Sequence, residues 1–265
     1  MPGPSADHGG VGEVPAGSLQ RALLVLWAFT ADDGGLSFTE LQSRTRLPKS
    51  TLHRLLNTLI AERLVDRRNG GYHLGRGLFE LGMRASLERN LLEIATPFLE
   101  DLYERTHELV HLGVREDAEV VYVAKVGGHR QVNVPSRLGG RMPLHATAIG
   151  KVLLANAAPE VQRDILMRPL ERRTPRTIIA PGQLARQLAE AARAGVAFEC
   201  EESGAGTTCV AAPIRDEDDE CVAAISVTGP VNRFRPRAHA AAVAAAAAGI
   251  TATLARRAQL KCADP

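Results

Sequence analysis

The chain has 265 residues, 45% of them hydrophobic, with 32 Lys and Arg against 30 Asp and Glu for a net charge of +2. That length exceeds one typical domain and suits two, each able to bury its own core, and the composition is that of a soluble protein. No apolar run is expected to reach membrane-spanning length, because Ala240 to Ile250 is alanine-rich and reads as a helix; Cys200, Cys209, Cys221 and Cys262 match no zinc spacing, so no metal, cofactor or disulfide framework is expected.

Residues 1–17 are rich in Gly, Pro and Ala and lack a basic segment followed by an apolar one, which predicts a disordered arm. Leu19, Leu23, Leu26 and Trp27 outline a helix over about 18–30 that is expected to pack on the elements after it. Ser37 can cap the next helix, Phe38 and Leu41 can point inward, and Leu47 can plug the turn that follows. Pro48 suits the first turn of a further helix, where its missing N–H costs nothing.

That further helix divides into two faces. Leu52, Leu55, Leu56, Leu59 and Ile60 recur at i, i+3, i+4, i+7 and i+8 and form one apolar stripe. Lys49, Ser50, His53, Arg54 and Asn57 lie on the other side, and short polar or cationic groups near a helix start are the types that reach base edges and phosphates in a major groove. Leu64 to Leu74 then reads as two strands around Asn69-Gly70-Gly71, the hairpin wing of a winged helix.

Between residues 38 and 76 eight Lys and Arg face three Asp and Glu, a local +5 that exceeds the charge of the whole chain. An amphipathic helix pair with a merely solvated polar face gives no reason for that concentration, whereas a phosphate-binding surface does. The reading is a DNA-binding winged helix-turn-helix over 18–76. Lys49 and Arg54 would meet base edges or phosphates, Ser50 and Thr51 phosphates, and His53 and Asn57 bases; Arg67 and Arg68 on the wing would neutralise phosphates or enter the minor groove.

Residues 77–90 are expected to form a helical linker, with helices over about 78–89 and 91–106 whose apolar positions suit a second copy of the chain as well as a core. From Leu109 the period changes. Val110, Leu112 and Val114 alternate with other residues, Glu119 to Val126 is a denser apolar run, and Gln131 to Val134 reads as another short strand. Helices over about 146–155, 159–167 and 183–194, strands over 196–199, 207–214 and 221–228, and a last helix over 236–257 complete an α+β domain, 91–260, on an antiparallel sheet.

Three segments carry a family resemblance. Arg137 to Lys151 (RLGGRMPLHATAIGK), Glu201 to Ile214 (EESGAGTTCVAAPI) and the LPKSTLHRLLNTL helix resemble the isocitrate-lyase-regulator (IclR) family of bacterial transcription factors, in order and across nearly the whole chain. The resemblance implies a GAF-like effector domain that binds a small organic acid or related metabolite. It also implies dimers or tetramers acting on palindromic double-stranded operators in the cytoplasm, as repressor or activator.

For the effector pocket it implies backbone N–H groups at Ala146, Thr147, Ala148 and Ile149 aimed at a ligand carboxylate, an acidic group at Glu199, a thiol at Cys209 and hydroxyls at Ser226 and Thr228, with Met142 and Thr207 on the walls. A helix start at that turn would offer unpaired donors and a favourable dipole. Thr207 departs from the aliphatic residue common in the family. Without the resemblance, Ser226 and Thr228 read equally as strand residues with local hydrogen bonds, Cys209 as a small buried apolar group, and His145 as a helix-start or interface residue.

Two rival readings remain from the residues. One is an effector-independent DNA-binding protein. The other is an enzyme acting on a small carboxylic acid, for which His145, Cys209, Ser226 and Glu199 are suitable types, but no nucleophile elbow, phosphate loop or metal signature accompanies them.

Overall fold

The computed structural model describes residues 17–30, 33–84, 86–128 and 132–263, so the expected N-terminal arm lies outside the described residues. The chain divides into two compact units, 1–89 and 90–265.

The first unit opens with α1 (Ser18–Trp27), α2 (Phe38–Thr45) and α3 (Lys49–Ala61), followed by a hairpin of β1 (Val65–Arg68) and β2 (Gly71–Leu74). Ser37 and Glu40 close a reciprocal capping box at α2: Ser37 Oγ accepts from Glu40 N at 3.2 Å, and Glu40 Oε2 accepts from Ser37 N at 2.8 Å. Arg46 ends α2 in the left-handed region, Leu47 is buried in the turn, and Pro48 stands as the residue just before α3. In the hairpin Asn69 and Gly70 both have positive φ, the geometry that lets a two-residue turn follow the strand twist. Leu36 forms an isolated antiparallel bridge to Tyr72 beside the two-stranded wing.

The core of this unit is Val25, Leu36, Leu41, Leu47, Leu52, Leu55, Leu56, Leu59, Val65 and Tyr72. α1 packs on this core as expected, though of its four marking residues only Leu26 takes part. α1 packs inward through Val25 with Ala22, Leu24 and Leu26 beside it, whereas Leu19, Leu23 and Trp27 are 71%, 44% and 65% exposed. Three of the four residues that mark the helix by spacing lie on its outward side, because the core uses the face centred on Val25.

α4 (Arg76–Gly82) precedes α5 (Ser86–Thr106), which runs as one helix across the boundary between the units instead of starting at Leu91. The second unit is built on a fully antiparallel six-stranded sheet of order β5-β4-β3-β8-β7-β6. Its strands are β3 (Leu109–Glu116), β4 (Glu119–Val126), β5 (Arg141–Pro143), β6 (Ala197–Cys200), β7 (Thr207–Arg215) and β8 (Cys221–Pro230). The strand expected over 131–134 is absent from described residues 132–134, and β5 takes the edge beside β4; its three residues are too few to show an alternation.

Helices cover both faces. α5 and α9 (Pro236–Ala263) bury Leu91, Ile94, Leu99, Val243 and Ile250 against Val110, Leu112, Val210 and Val227. On the other face α6 (Ala148–Ala155), α7 (Pro159–Met167) and α8 (Pro181–Ala194) bury Ile149, Val152, Ile165, Leu184 and Leu188 against Val120, Cys209, Ala211 and Ala224. Because both faces are covered, β3 is buried at His111 and Gly113 as well as at Val110 and Leu112.

α9 also corrects the expectation about membrane-length segments: residues 236–260 are long and apolar enough to cross a bilayer by length and composition. Its alanine content accounts for that composition; Val243 and Ile250 are buried in the sheet-facing core, Leu254 is half-buried and Leu260 is exposed, so most of the stretch is not buried.

Candidate functional site

The leucine stripe fixes which side of α3 faces out. Leu52, Leu55, Leu56 and Leu59 are buried, so Lys49, Ser50, His53, Arg54 and Asn57 are exposed and Thr51 is half-buried beside them. Asn57 Nδ2 lies 3.3 Å from His53 Nδ1, which holds the two amide and imidazole groups side by side.

The cations of this unit separate into two kinds. Arg44 grips Asp33 with two hydrogen bonds of 2.6 and 2.9 Å and donates to Ala28 O at 2.8 Å; that guanidinium holds the Asp33 carboxyl down at about 2. Arg63 pairs with Glu80, and Arg68 with Asp66 at 3.1 Å. Lys49 and Arg54 on α3 form no ion pair among the described residues. Arg67 lies 5.7 Å over the Tyr72 ring, which supports the wing without neutralising the charge.

The second unit holds a cavity on the α6 face of the sheet. Strand parity brings its polar lining together, since residues two apart share a face. Register places His111 beside Ser226, Cys209 beside Thr228 and Glu199 beside Cys209. Of the residues expected to bind effector, Met142, Thr147, Ala148, Ile149, Glu199, Cys209, Ser226 and Thr228 line this cavity. Two do not. Ala146 is buried in the 3-10 turn Leu144–Ala146 off the lining, and Thr207 donates its hydroxyl to Gly204 O at 2.8 Å, fixing the turn before β7.

His111, Tyr122, Val134, Pro135, Ser136 and Ser203 also line the cavity and were not expected there. His111 had a signal: it sits between Val110 and Leu112, so on a strand with an apolar even-numbered face it must point with the odd-numbered set. Ser136 had none, because it reaches the site through an irregular segment.

α6 begins in this lining. Thr147 caps it by accepting from Gly150 N at 3.0 Å, and Lys151 N donates to Thr147 O at 2.9 Å, so the N–H groups of Ala148 and Ile149 are the first-turn donors without an acceptor among the described residues. Gly150 lets the helix lie directly on the Leu144 backbone, which a Cβ there would enter.

The remaining polar groups are largely paired with one another. Ser136 Oγ lies 2.9 Å from His111 Nε2, and Lys125 Nζ donates to Ser136 O at 3.1 Å, which fastens residues 134–136 over the cavity. Burial, and second the charge of Lys125, drive the His111 imidazolium down to about 3, so this ring is neutral. Thr228 Oγ1 donates to Cys209 Sγ at 3.1 Å, and burial pushes the Cys209 thiol up to about 12, which removes it as a thiolate nucleophile. Glu199 Oε1 accepts from Glu202 N at 2.5 Å and Ser203 N at 2.9 Å, while burial outweighs these bonds and lifts its carboxyl to about 7.

Behind the lining Lys151, 1% exposed, pairs with Glu202 at 2.5 Å, and His145 Nε2 lies 2.9 Å from Glu171 O, so His145 is an anchor for the 171 loop. The space left inside the lining is about 20 Å³, the room of about one water molecule. Among the described residues no group of three or more His, Cys, Asp or Glu converges as metal ligands.

Comparison with known proteins agrees with both units. Residues 18–69 match the IclR helix-turn-helix domain, and residues 83–252 match the C-terminal domain of the bacterial transcriptional regulator IclR. The chain is 34% identical over 222 residues to the transcriptional repressor IclR of Escherichia coli (strain K12), covering 82% of this chain and 81% of that one. It is 35% identical over 237 residues to the HTH-type transcriptional regulator BhcR of Paracoccus denitrificans, covering 87% and 85%.

Among solved structures, an IclR homologue from Microbacterium hydrocarbonoxydans complexed with 4-hydroxybenzoate superposes with a TM-score of 0.86 at 33% identity, covering 90% of this chain and 99% of that one. The Thermotoga maritima IclR gives a TM-score of 0.74 at 30% identity, covering 89% and 98%. Matched over nearly its whole length by a helix-turn-helix domain and an effector domain of transcriptional regulators, the chain belongs to the IclR family of bacterial transcriptional regulators.

Proposed function

We propose that this regulator binds a palindromic operator as a homodimer or a pair of dimers, and that a small organic acid held at the α6 cavity controls it. α3 enters the major groove, with Arg54 and Lys49 on base edges or phosphates, His53 and Asn57 on bases, and Ser50 and Thr51 on phosphates. Arg67 and Arg68 extend the contact from the wing to phosphates or the minor groove. Two such helices reading adjacent half-sites stand about 34 Å apart. The exposed Leu19 and Leu23, at i and i+4 on α1, support pairing with a second copy, since that would take their apolar surface out of water.

The observation that carries the effector reading is the pair of unclaimed N–H groups of Ala148 and Ile149 at the start of α6, on the wall of a cavity whose other polar groups are neutral or near-neutral. A carboxylate meets two donors and a favourable helix pole there. Ser226, Thr228 and Cys209 then face the ligand's body. The ligand switches the protein only through a difference in affinity between two arrangements of the dimer.

The experiment has two arms. In a gel shift on the native promoter, Arg54→Ala is expected to weaken specific retention by about 1–3 kcal/mol, roughly 10-fold or more, with circular dichroism unchanged. Retention equal to wild type rejects the assigned face. In a thermal-shift panel of small carboxylic acids that includes 4-hydroxybenzoate, the ligand of the Microbacterium homologue, at least one acid is expected to stabilise the protein and to lose its effect in Ser226→Ala.

One observation favours a second reading. A cavity as small as about 20 Å³ is also what an effector-independent DNA-binding protein would keep. No stabilisation across the panel, with operator affinity unchanged by every acid, selects that reading.

A further inference from the structure

The larger opening in the second unit is a different one. A cavity of about 450 Å³, open on one side and within the range of small-molecule sites, lies by β6, α8 and the start of α9. Gln187, Phe198, Glu202, Phe234, Arg235 and Arg237 are among its lining residues, and Glu199 lines both this cavity and the smaller one.

Its polar groups are unmet in a complementary way. Glu202 is 5% exposed; its Oε1 takes Lys151, yet its Oε2 is buried with no hydrogen-bond partner among the described residues. Gln187 Oε1 is buried without a partner as well. A buried acceptor left unpaired is destabilising, so both atoms call for a donor from outside the chain.

The lining is also cationic. Arg235 and Arg237 form no ion pair among the described residues, and the first turn of α9 holds no acidic residue to offset its positive pole. Arg237 lies 4.9 Å over the Phe198 ring, which orders its guanidinium without neutralising it. Phe198 and Phe234 supply apolar wall.

We infer that this cavity is a second ligand site, separate from the α6 cavity, for a small organic acid that carries a hydroxyl or amine donor. The carboxylate meets Arg235 and Arg237, the donor meets Glu202 Oε2 and Gln187 Oε1, and the carbon skeleton rests on Phe198 and Phe234. A plain carboxylic acid leaves the buried acceptors unmet, and a plain amine leaves the arginines unmet. Glu199 accepts from the backbone N–H of Glu202, so the turn that presents Glu202 to this site is tied to the wall of the other.

The test is isothermal titration of the full-length protein with three probes of one skeleton: L-phenylalanine, L-3-phenyllactate and 3-phenylpropionate. The amine-bearing or the hydroxyl-bearing acid is expected to bind with one site per chain and at least about 10-fold tighter than 3-phenylpropionate; which of the two binds tells the donor. Arg235→Ala/Arg237→Ala, both exposed positions, and Gln187→Leu in the same lining are each expected to weaken that binding about 10-fold or more. Ser226→Ala, in the α6 cavity, is expected to leave it unchanged, so failure here is distinct from failure of the effector reading above. Absence of saturable binding by both donor-bearing acids, equal binding of 3-phenylpropionate, survival of binding in the arginine variant or its loss in Ser226→Ala overturns the inference.

Discussion

On α3, Lys49, Ser50, His53, Arg54 and Asn57 stand out from a helix whose opposite face is buried leucine, and the one side-chain contact within that set is His53 with Asn57. The α6 cavity holds a comparable set of polar side chains in the opposite condition. Ser136 is matched to His111, Thr228 to Cys209, Thr147 to Gly150 N, and Glu199 to the N–H groups of Glu202 and Ser203.

The face proposed for DNA would need no rearrangement, because groups held out in solvent can exchange water and counterions directly for bases and phosphates. A pocket satisfied from within does need one. A ligand larger than the space inside the lining must move part of it and replace internal hydrogen bonds with its own, so its net affinity is a difference between two bonded states. That difference is where a sensor gains selectivity, since an ill-matched ligand leaves buried groups unpaired.

The comparison breaks most completely at Gly150, which belongs to one region alone. A Cβ at this position would sit 2.6 Å from the Leu144 carbonyl carbon, with the oxygen closer still, and neither can yield because both are backbone. Gly150→Ala is expected to destabilise the effector unit by at least about 3 kcal/mol, at the upper end of overpacking costs. Chemical denaturation followed by hydrogen exchange should show the loss in α6 and β5 with protection of α3 retained. Equal loss in both units would mean that their stabilities are not separable.

Glu199 sharpens the contrast by pH. Its carboxyl stands at about 7 in the folded chain against an ordinary value of 4.5, with burial the first cause. Between these values the native state binds more protons than the unfolded one, so the stability tied to this group is present below about 4.5 and is lost as pH rises to about 7. Glu199→Gln removes that loss while keeping an acceptor for the Glu202 and Ser203 N–H groups. Relative to wild type, the variant is expected to gain up to about 3 kcal/mol as pH rises from 4.5 to 7.5, measured by urea denaturation at each pH. A flat difference between the two proteins across that range would place the Glu199 titration elsewhere.

The two regions also differ in how far they can be read from sequence. The DNA face follows from one helix: a 3.6-residue rhythm within thirteen residues separates Leu52, Leu55, Leu56 and Leu59 from Lys49, Arg54 and Asn57, and a capped helix and an Asn-Gly turn mark its neighbours. The cavity draws on β3, β4, β5, β6, β7, β8, the start of α6 and an irregular segment, so local spacing carries little of it. Family resemblance pointed to Glu199, Cys209, Ser226 and Thr228, which parity and register bring to one face of the sheet. It pointed also to Ala146 and Thr207, which the 3-10 turn and a local hydrogen bond turn away. Tyr122 and Ser136 stayed hidden because their place depends on pairing across the sheet and on a segment without regular structure, and parity gives His111 its face without naming its partners. α1 shows the same limit in the other unit, since periodicity finds an apolar stripe without saying whether core or solvent receives it.

The smallest expected effect tests whether the strap over the cavity is held as the hydrogen bonds indicate. Ser136 Oγ and His111 Nε2 form one bond, and the Lys125 bond goes to the Ser136 carbonyl, so Ser136→Ala removes the first and leaves the second. A single net hydrogen bond contributes about 1 kcal/mol, which is roughly fivefold in a local opening equilibrium. Hydrogen exchange of the amides of residues 132–136, Pro135 having none, is expected to quicken by about that factor, while exchange across α3 and the global melting temperature stay within error of wild type. Unchanged exchange in this segment would show that Lys125 alone holds it, and the cavity would then be closed by packing of Val134 and Pro135 and not by the polar pairing that sets it apart from the DNA face.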